Sequence, residues 1–287
     1  MKIGVVYPQN ETHGDPRALG AIGRAVEDFG YDSLLFYDHV VGAEHADREP
    51  PLWGPYTEDD SFHDPLVAFG YLAAITTRIE LATGVLILPQ RQTVLVAQQA
   101  ADADLLSGGR LRIGVGTGWN WVEYDALGVE FAHRGARLDE QIVLLRRLWA
   151  EPLVTFEGRF HALERCCINP RPGRQIPIWV GGFSEAAFRR GTTLGDGFTF
   201  AGNPDDALAG LARVRELLAA SARDEDGFGR ELILTRARTP EDVVATAARW
   251  RQAGGTGVCV LTQKLGLDSV EAHIDHLGRV KAALDAA

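Results

Sequence analysis

The chain has 287 residues, of which 46% are hydrophobic, and its formal net charge at pH 7 is −10. This excess of acidic residues argues against nucleic acid or an anionic membrane as the main partner. It does not argue against a phosphate-bearing ligand, because a phosphate site is built locally from a few residues. A chain of this length is compatible with a single (β/α)8 barrel, which is one domain of roughly 250 residues.

Membrane and export signals are not evident in the sequence. No segment approaches the ~20 apolar residues that a spanning helix needs, so no membrane association is expected. The opening MKIGVVYPQN is too short an apolar run for a signal peptide. Cys166, Cys167 and Cys259 have no zinc-ligand spacing, and adjacent cysteines rarely bridge each other. Free thiols in a reducing cytoplasm are therefore expected.

Short apolar segments alternate with amphipathic helical ones along almost the whole chain. Eight of them are predicted as strands, at 2–7, 32–37, 79–88, 111–115, 176–180, 197–200, 232–235 and 257–261. They show little apolar-polar alternation, which is typical of parallel strands buried on both faces. Helices between the strands imply parallel pairing through right-handed crossovers. The sequence thus predicts one α/β domain over 1–287, a single (β/α)8 TIM barrel.

Helix starts are marked by capping residues, and two segments interrupt the alternation. The predicted caps are Asp15, Asp64, Ser184, Asn203, Thr239 and Asp268, and a long helix is predicted from about Leu138. Residues 153–163 read as a small β-hairpin around Glu157-Gly158. The long loop after the second strand, residues 42–63, is polar and rich in proline and histidine. A loop of this length is usually functional or disordered.

The carboxyl ends of barrel strands are where this fold places its active site. In this chain those ends hold aromatic residues, many glycines and one Asp-His pair, but few other titratable groups. Gly114, Gly116 and Gly118 are followed by Trp119 where a dinucleotide fingerprint would have its third glycine. Such ends suit a flat cofactor that brings its own chemistry. Trp119 and Trp121 would then either offer stacking surface or form a hydrophobic lid.

Four segments together carry a family resemblance. They are GVGTGWNWVEYDALG with the following RGARLDEQIVLLRRLW, YDH at 37–39, TGVLILP at 83–89 and IPIWVGGFS at 176–184. Taken in chain order, they resemble the luciferase-like monooxygenase superfamily, in particular its actinobacterial branch of oxidoreductases that depend on the deazaflavin coenzyme F420. The resemblance implies hydride transfer between F420 and a small-molecule substrate, in a homodimer. Because deazaflavin does not readily activate oxygen, it implies reduction or dehydrogenation.

Two other activities are compatible with the same residues. One is an FMN-dependent monooxygenase of the same superfamily that is supplied by a separate reductase, because both rings need a flat, glycine-walled pocket. The other is a barrel that binds a flavin without catalysis.

The resemblance also implies which residues hold the cofactor. The ring would lie on a bulge at Thr83, Gly84 and Val85, with a non-proline cis peptide between Gly84 and Val85. The remaining cofactor-binding residues would be Tyr7, Asp38, His39, Thr117, Gly118, Trp119 and Asn120, with Gly181, Gly182, Phe183 and Ser184 at the phosphate. Ser184 could alternatively serve only as a helix cap.

Asp38 and His39 form the most prominent titratable pair. In related sugar-phosphate dehydrogenases the matching histidine is a proposed acid or base, and histidine suits that role near neutral pH. The alternative is a structural histidine anchored by the neighbouring carboxylate. Those dehydrogenases have a glutamate where this chain has Trp119. We therefore assign neither the acid role of that glutamate nor a sugar-phosphate substrate to this chain. His63 could also reach the mouth of the site.

Overall fold

The computed structural model describes residues 1–221 and 223–287, and it confirms the predicted TIM barrel. The barrel strands are β1 (Lys2–Val6), β2 (Ser33–Phe36), β3 (Glu80–Thr83), β4 (Leu111–Val115), β7 (Ile178–Gly181), β8 (Gly197–Phe200), β9 (Gly229–Ile233) and β10 (Gly257–Leu261). They form a closed sheet in the order β1-β10-β9-β8-β7-β4-β3-β2, and every pair is parallel. The hairpin β5 (Val154–Glu157) and β6 (Ala162–Cys166) is a separate antiparallel pair.

Helices follow most of the barrel strands, and each helix begins directly after its N-cap residue. They are α1 (Pro16–Asp28), α2 (Pro65–Ile75), α3 (Thr93–Leu106), α4 (Trp121–Ala126), α5 (Arg134–Ala150), α6 (Glu185–Leu194), α7 (Pro204–Ala220), α8 (Pro240–Gln252) and α9 (Val270–Asp285). The predicted caps at 15, 64, 184, 203 and 239 are confirmed. Within the described residues, no helix has the length and apolarity required to cross a membrane.

Buried residues form a large apolar layer and a small separate cluster. The large layer includes Val5, Leu34 and Leu81, and extends to the inner faces of the helices. The small cluster contains their chain neighbours Val6, Leu35 and Ala82, which are register partners on β1, β2 and β3. Successive strand residues point to opposite faces, so the large layer lies outside the barrel and the small cluster inside it.

Several predicted boundaries were wrong. β3 ends at Thr83 rather than 88. The peptide between Gly84 and Val85, just after this strand, is cis, which confirms what the resemblance implied. β9 starts three residues before the predicted strand, and α5 starts four residues before Leu138. The cap of α9 is Ser269, because its hydroxyl and not the Asp268 carboxylate accepts the Ala272 N–H. The short helix α4 was not predicted.

The stretch 37–64 contains no helix or strand, as expected for the long loop, yet it is tied to the barrel. Asn10 Nδ2 donates to Asp60 (3.0 Å), and the His63 N–H donates to the Gln9 side chain (3.2 Å). Leu52 is buried. These contacts hold the loop beside the carboxyl ends of the strands.

Candidate functional site

A cavity of about 570 Å³ opens at the carboxyl ends of the barrel strands. This volume lies in the range of small-molecule and cofactor sites. Most predicted site residues line it: Asp38, His39, Gly84, Val85, Thr117, Gly118, Trp119, Gly181, Gly182, Phe183 and Ser184. The structure adds Tyr37, Tyr56, Ile87, Gly116, Ala187, Arg190, Thr199, Ala201 and Ile233 to the lining.

Tyr7 and Thr83 do not line the cavity, contrary to expectation. The Tyr7 ring is fully buried and stacks on Phe36, with a centroid distance of 4.7 Å, and its hydroxyl lies 3.2 Å from Thr12 Oγ1. Thr83 Oγ1 donates to the Gly114 carbonyl oxygen (2.7 Å). Tyr7 directly follows β1 and Thr83 is the last residue of β3, and both side chains make contacts in the core.

Asn120 is also outside the cavity wall. Its side chain is buried and accepts the Glu123 N–H (3.2 Å), which caps α4. The preference of asparagine for helix caps explains this placement. His63, which was considered for the mouth, does not line the cavity either.

Glycine backbone forms the floor of the cavity around Val85. A Cβ atom at Gly116 or at Gly181 would clash with the Val85 side chain. Val85 on the bulge therefore packs directly against the backbone that follows β4 and the backbone at the end of β7, where only glycine leaves room for it. The resulting wall suits the face of a planar ring.

Asp38 lies at the cavity edge, but its carboxylate is fully engaged. It accepts from Arg91 Nη2 (2.6 Å) and from the Ile87 N–H (2.9 Å), while Arg91 also pairs with Asp64 (2.8 Å). Burial lowers the pKa of Arg91, but the two carboxylates raise it by more, so the guanidinium stays charged. This geometry makes Asp38 an anchor between β2 and the segment after β3.

His39 is held by Glu123, which the sequence analysis missed. Its Nδ1 lies 3.4 Å from Glu123 Oε2, and the other oxygen of Glu123 accepts the N–H groups of Val40 and Val41. Burial raises the pKa of Glu123, but the contact with His39 and the Val40 N–H lower it by more. Glu123 is thus a buried carboxylate that orients the imidazole. Its position three residues after the Asn120 cap was the available signal.

Aromatic rings surround His39. Their centroids lie 5.1 Å (Tyr56), 4.8 Å (Phe62) and 5.6 Å (Trp119) from the imidazole centroid. Tyr56 and Phe62 belong to the long loop, and no sequence pattern singled them out. The Trp119 ring also packs so closely on Gly54 that a Cβ there would overlap it. Together the rings cover one end of the cavity.

The opposite end of the cavity is polar. Ser184 caps α6 by accepting the Ala187 N–H (3.2 Å), and its own O–H remains free to donate. Arg190, six residues after Ser184 on α6, also lines the cavity and pairs with Asp139. A helix N-terminus with a hydroxyl and a guanidinium is a suitable anion site. Both readings of Ser184 are thus compatible with the geometry.

Thr199 provides a test of whether a ligand fits. Its hydroxyl is buried at the cavity wall and has no hydrogen-bond partner within residues 1–221 and 223–287. Buried polar groups are normally paired, so this hydroxyl indicates a ligand with a polar edge. The flat floor, the anion site and this unpaired hydroxyl fit a planar, phosphate-bearing cofactor.

The sequence profile of luciferase-like monooxygenases matches residues 1–281. The chain belongs to the luciferase-like monooxygenase family. Among the relatives of this family member, an uncharacterized protein of Mycobacterium tuberculosis is 35% identical over 205 residues, which are 68% of this chain and 69% of that protein. The F420-dependent glucose-6-phosphate dehydrogenase of Kineococcus radiotolerans is 30% identical over 263 residues, covering 84% and 74% of the two chains.

Solved structures of this luciferase-like fold agree with the architecture. The crystal structure of monooxygenase RslO1 from Streptomyces bottropensis superposes with a TM-score of 0.82, covering 100% of this chain and 99% of that one at 19% identity. At this identity the likeness concerns the fold. The family membership supports an oxidoreductase of luciferase-like type.

Proposed function

We propose that this luciferase-like protein is an oxidoreductase that transfers a hydride between coenzyme F420 and a small organic substrate. The observation that carries the proposal is the two-ended cavity: a glycine floor lies between His39, held by a buried carboxylate, and the anion site at α6. The relative named as an F420-dependent dehydrogenase supports the choice of coenzyme.

The chain's own residues would hold the coenzyme in one orientation. Gly116, Gly181 and Val85 would contact the ring face, and Thr199 Oγ1 would hydrogen-bond its polar edge. The Ser184 hydroxyl, the first N–H groups of α6 and Arg190 would bind the phosphate. When bound, the coenzyme supplies a centre that gives or accepts a hydride.

His39 would manage the proton that accompanies hydride transfer. Glu123 faces Nδ1, and His39 lines the cavity, so Nε2 would be the nitrogen available to a substrate. In the reducing direction, Nε2–H would donate to the substrate atom that gains negative charge, and in the other direction Nε2 would accept that proton. Tyr56, Phe62 and Trp119 would exclude water from this end.

Titration of the apo protein with F420 and, in parallel, with FMN tests the proposal. We expect saturable F420 binding, followed by coenzyme fluorescence, and much weaker FMN binding. The reverse preference would favour a two-component FMN monooxygenase. Saturable binding without turnover by any substrate would favour a non-catalytic flavin-binding barrel, and no binding would reject all three.

Two glycine substitutions test whether the coenzyme ring lies on the cavity floor. Gly116→Ala adds a methyl group that clashes with Val85, whereas Gly70→Ala on α2 adds one with no heavy atom within 4 Å. We expect Gly116→Ala to weaken F420 binding by about tenfold or more, because the floor must shift. Gly70→Ala should bind like the wild type. Equal binding by both variants would contradict the ring placement.

A further inference from the structure

The aromatic end of the cavity has a chemical character that the proposed coenzyme does not explain. Tyr56 and Trp119 line the cavity beside His39, and Phe62 supports the imidazole from behind. We call Tyr56, Phe62, Trp119 and His39 the aromatic box. Its cavity-facing surfaces are flat and apolar, and such surfaces bind ring systems by stacking and edge contacts.

The aromatic box offers no fixed positive charge to a substrate. Among the cavity-lining residues of the described chain, Arg190 is the only arginine or lysine, and it lies on α6 at the opposite end, paired with Asp139. Asp38, Glu123 and Asp60 carry carboxylates close to the box, and each accepts hydrogen bonds from neighbouring residues. An anionic group placed at the box would lose its hydration without gaining a counter-ion, which is costly.

The box and its neighbour Tyr37 do offer neutral hydrogen-bond donors. Tyr37 and Tyr56 both line the cavity, and burial raises the pKa of each hydroxyl. Both therefore remain protonated at neutral pH and can donate to an uncharged oxygen. Their ring centroids lie 6.1 Å apart, so the two rings are neighbours in the cavity wall.

We propose that the substrate is a neutral aromatic or alicyclic ketone or conjugated enone, stacked on Trp119 with its oxygen toward Tyr56 and His39. This inference rests on the proposed function. The π bond of the C=O group, or of the conjugated C=C group, breaks. Its electrophilic carbon gains the hydride from reduced F420, which is oxidised by two electrons. The oxygen or the α carbon gains the proton from His39 Nε2.

A matched pair of ligands tests the charge preference. Benzylideneacetone and cinnamate share the styryl group and differ in a neutral methyl ketone against a carboxylate. We expect the F420-loaded protein to bind benzylideneacetone at least about tenfold more tightly than cinnamate in calorimetric titrations. Benzylideneacetone should be consumed in the presence of reduced F420, whereas glucose 6-phosphate should not be oxidised in the presence of oxidised F420.

Three variants locate the binding surface. Trp119→Ala should weaken benzylideneacetone binding by about tenfold, through loss of the stacking surface. Tyr56→Phe should keep the stacking surface and lose the donor, with a smaller effect of roughly threefold. The control is Trp53→Ala, because Trp53 lies in the same loop, is 80% exposed and does not line the cavity. It should leave binding unchanged.

The outcomes separate this inference from the function on which it rests. Tight F420 binding together with equal or tighter binding of cinnamate, or with turnover of glucose 6-phosphate, would overturn the neutral-substrate proposal and leave the coenzyme assignment standing. Benzylideneacetone binding that is unaffected by Trp119→Ala would overturn the placement at the box. Absence of F420 binding would instead reject the proposed function.

Discussion

His39 and Glu123 show how one buried carboxylate determines what a neighbouring imidazole can do. Glu123 is almost fully buried and contacts both the His39 ring and the backbone that follows it. The same residue therefore orients the imidazole and positions the start of the long loop. A carboxylate that orients a histidine through Nδ1 is a positioning residue, since it acts on the substrate only through the imidazole.

Glu123→Gln removes the negative charge of this side chain and keeps its shape, so it tests the contribution of the charge alone. The amide oxygen still accepts the Val40 N–H, but the negative charge facing Nδ1 is lost. We expect kcat to fall about 10- to 100-fold with little change in KM or in F420 affinity. Steady-state kinetics over a range of pH checks this. Glu130→Gln, at an exposed position, is the control, and a parallel loss of F420 affinity would indicate a general structural role.

Element boundaries were predictable where a local signal marks them. The caps of α1, α2, α7 and α8 are each followed by a proline and depend on contacts within a few residues, and all four were located correctly. The end of β3 was not, because the apolar run continues to Leu88 while the pairing changes at Gly84. After the bulge, the Leu86 N–H still donates to the Gly114 carbonyl oxygen on β4 (2.7 Å), but this is an isolated contact outside the regular β3 ladder.

Glu27 at the end of α1 links this helix to the entry of β3. Its carboxylate accepts the N–H groups of Thr77, Arg78 and Ile79 at 2.8 to 3.1 Å. Burial raises its pKa, but these donors lower it to about 2 from an ordinary value of 4.5. A lowered carboxyl pKa stabilises the fold above pH 4.5, and that contribution is lost as the pH falls toward 2.

Glu27→Gln should therefore lower the free energy of unfolding at pH 7 by about 1 kcal/mol, after allowance for solvent screening. The difference from the wild type should shrink as the pH is lowered toward 3. Urea denaturation at both pH values measures it, with Glu130→Gln as the exposed control. If the free energies of unfolding of the two proteins differ by the same amount at both pH values, the charge of Glu27 does not stabilise the fold.

Two neighbouring helices, α2 and α3, expose apolar side chains on the surface of the molecule. Val67 on α2 is 71% exposed and Leu95 on α3 is 52% exposed. Isolated exposed apolar residues are common, but a pair of adjacent helices that share them is typical of an interface. We propose that a second copy of the chain covers this face, which agrees with the homodimer that the sequence resemblance implied.

A double variant, Val67→Glu with Leu95→Glu, should convert a dimer to a monomer because like charges would face each other across a symmetric interface. Light scattering after gel filtration gives the mass, and circular dichroism checks the fold. Val143→Glu on α5, also at an exposed position, should leave the mass unchanged. A wild-type protein of monomer mass would contradict the proposal directly.

Strand and helix order, the barrel and the segments of the cavity wall were determined by the sequence itself, because apolar periodicity, caps and a long motif are local features. Only the tertiary structure decided that His39 is held by Glu123, 84 positions away, that Tyr56 and Phe62 complete the aromatic box, and that Tyr7 and Thr83 turn into the core. These contacts join separate strand ends and a loop without periodicity. They exist only once the barrel has closed, so no local pattern encodes them.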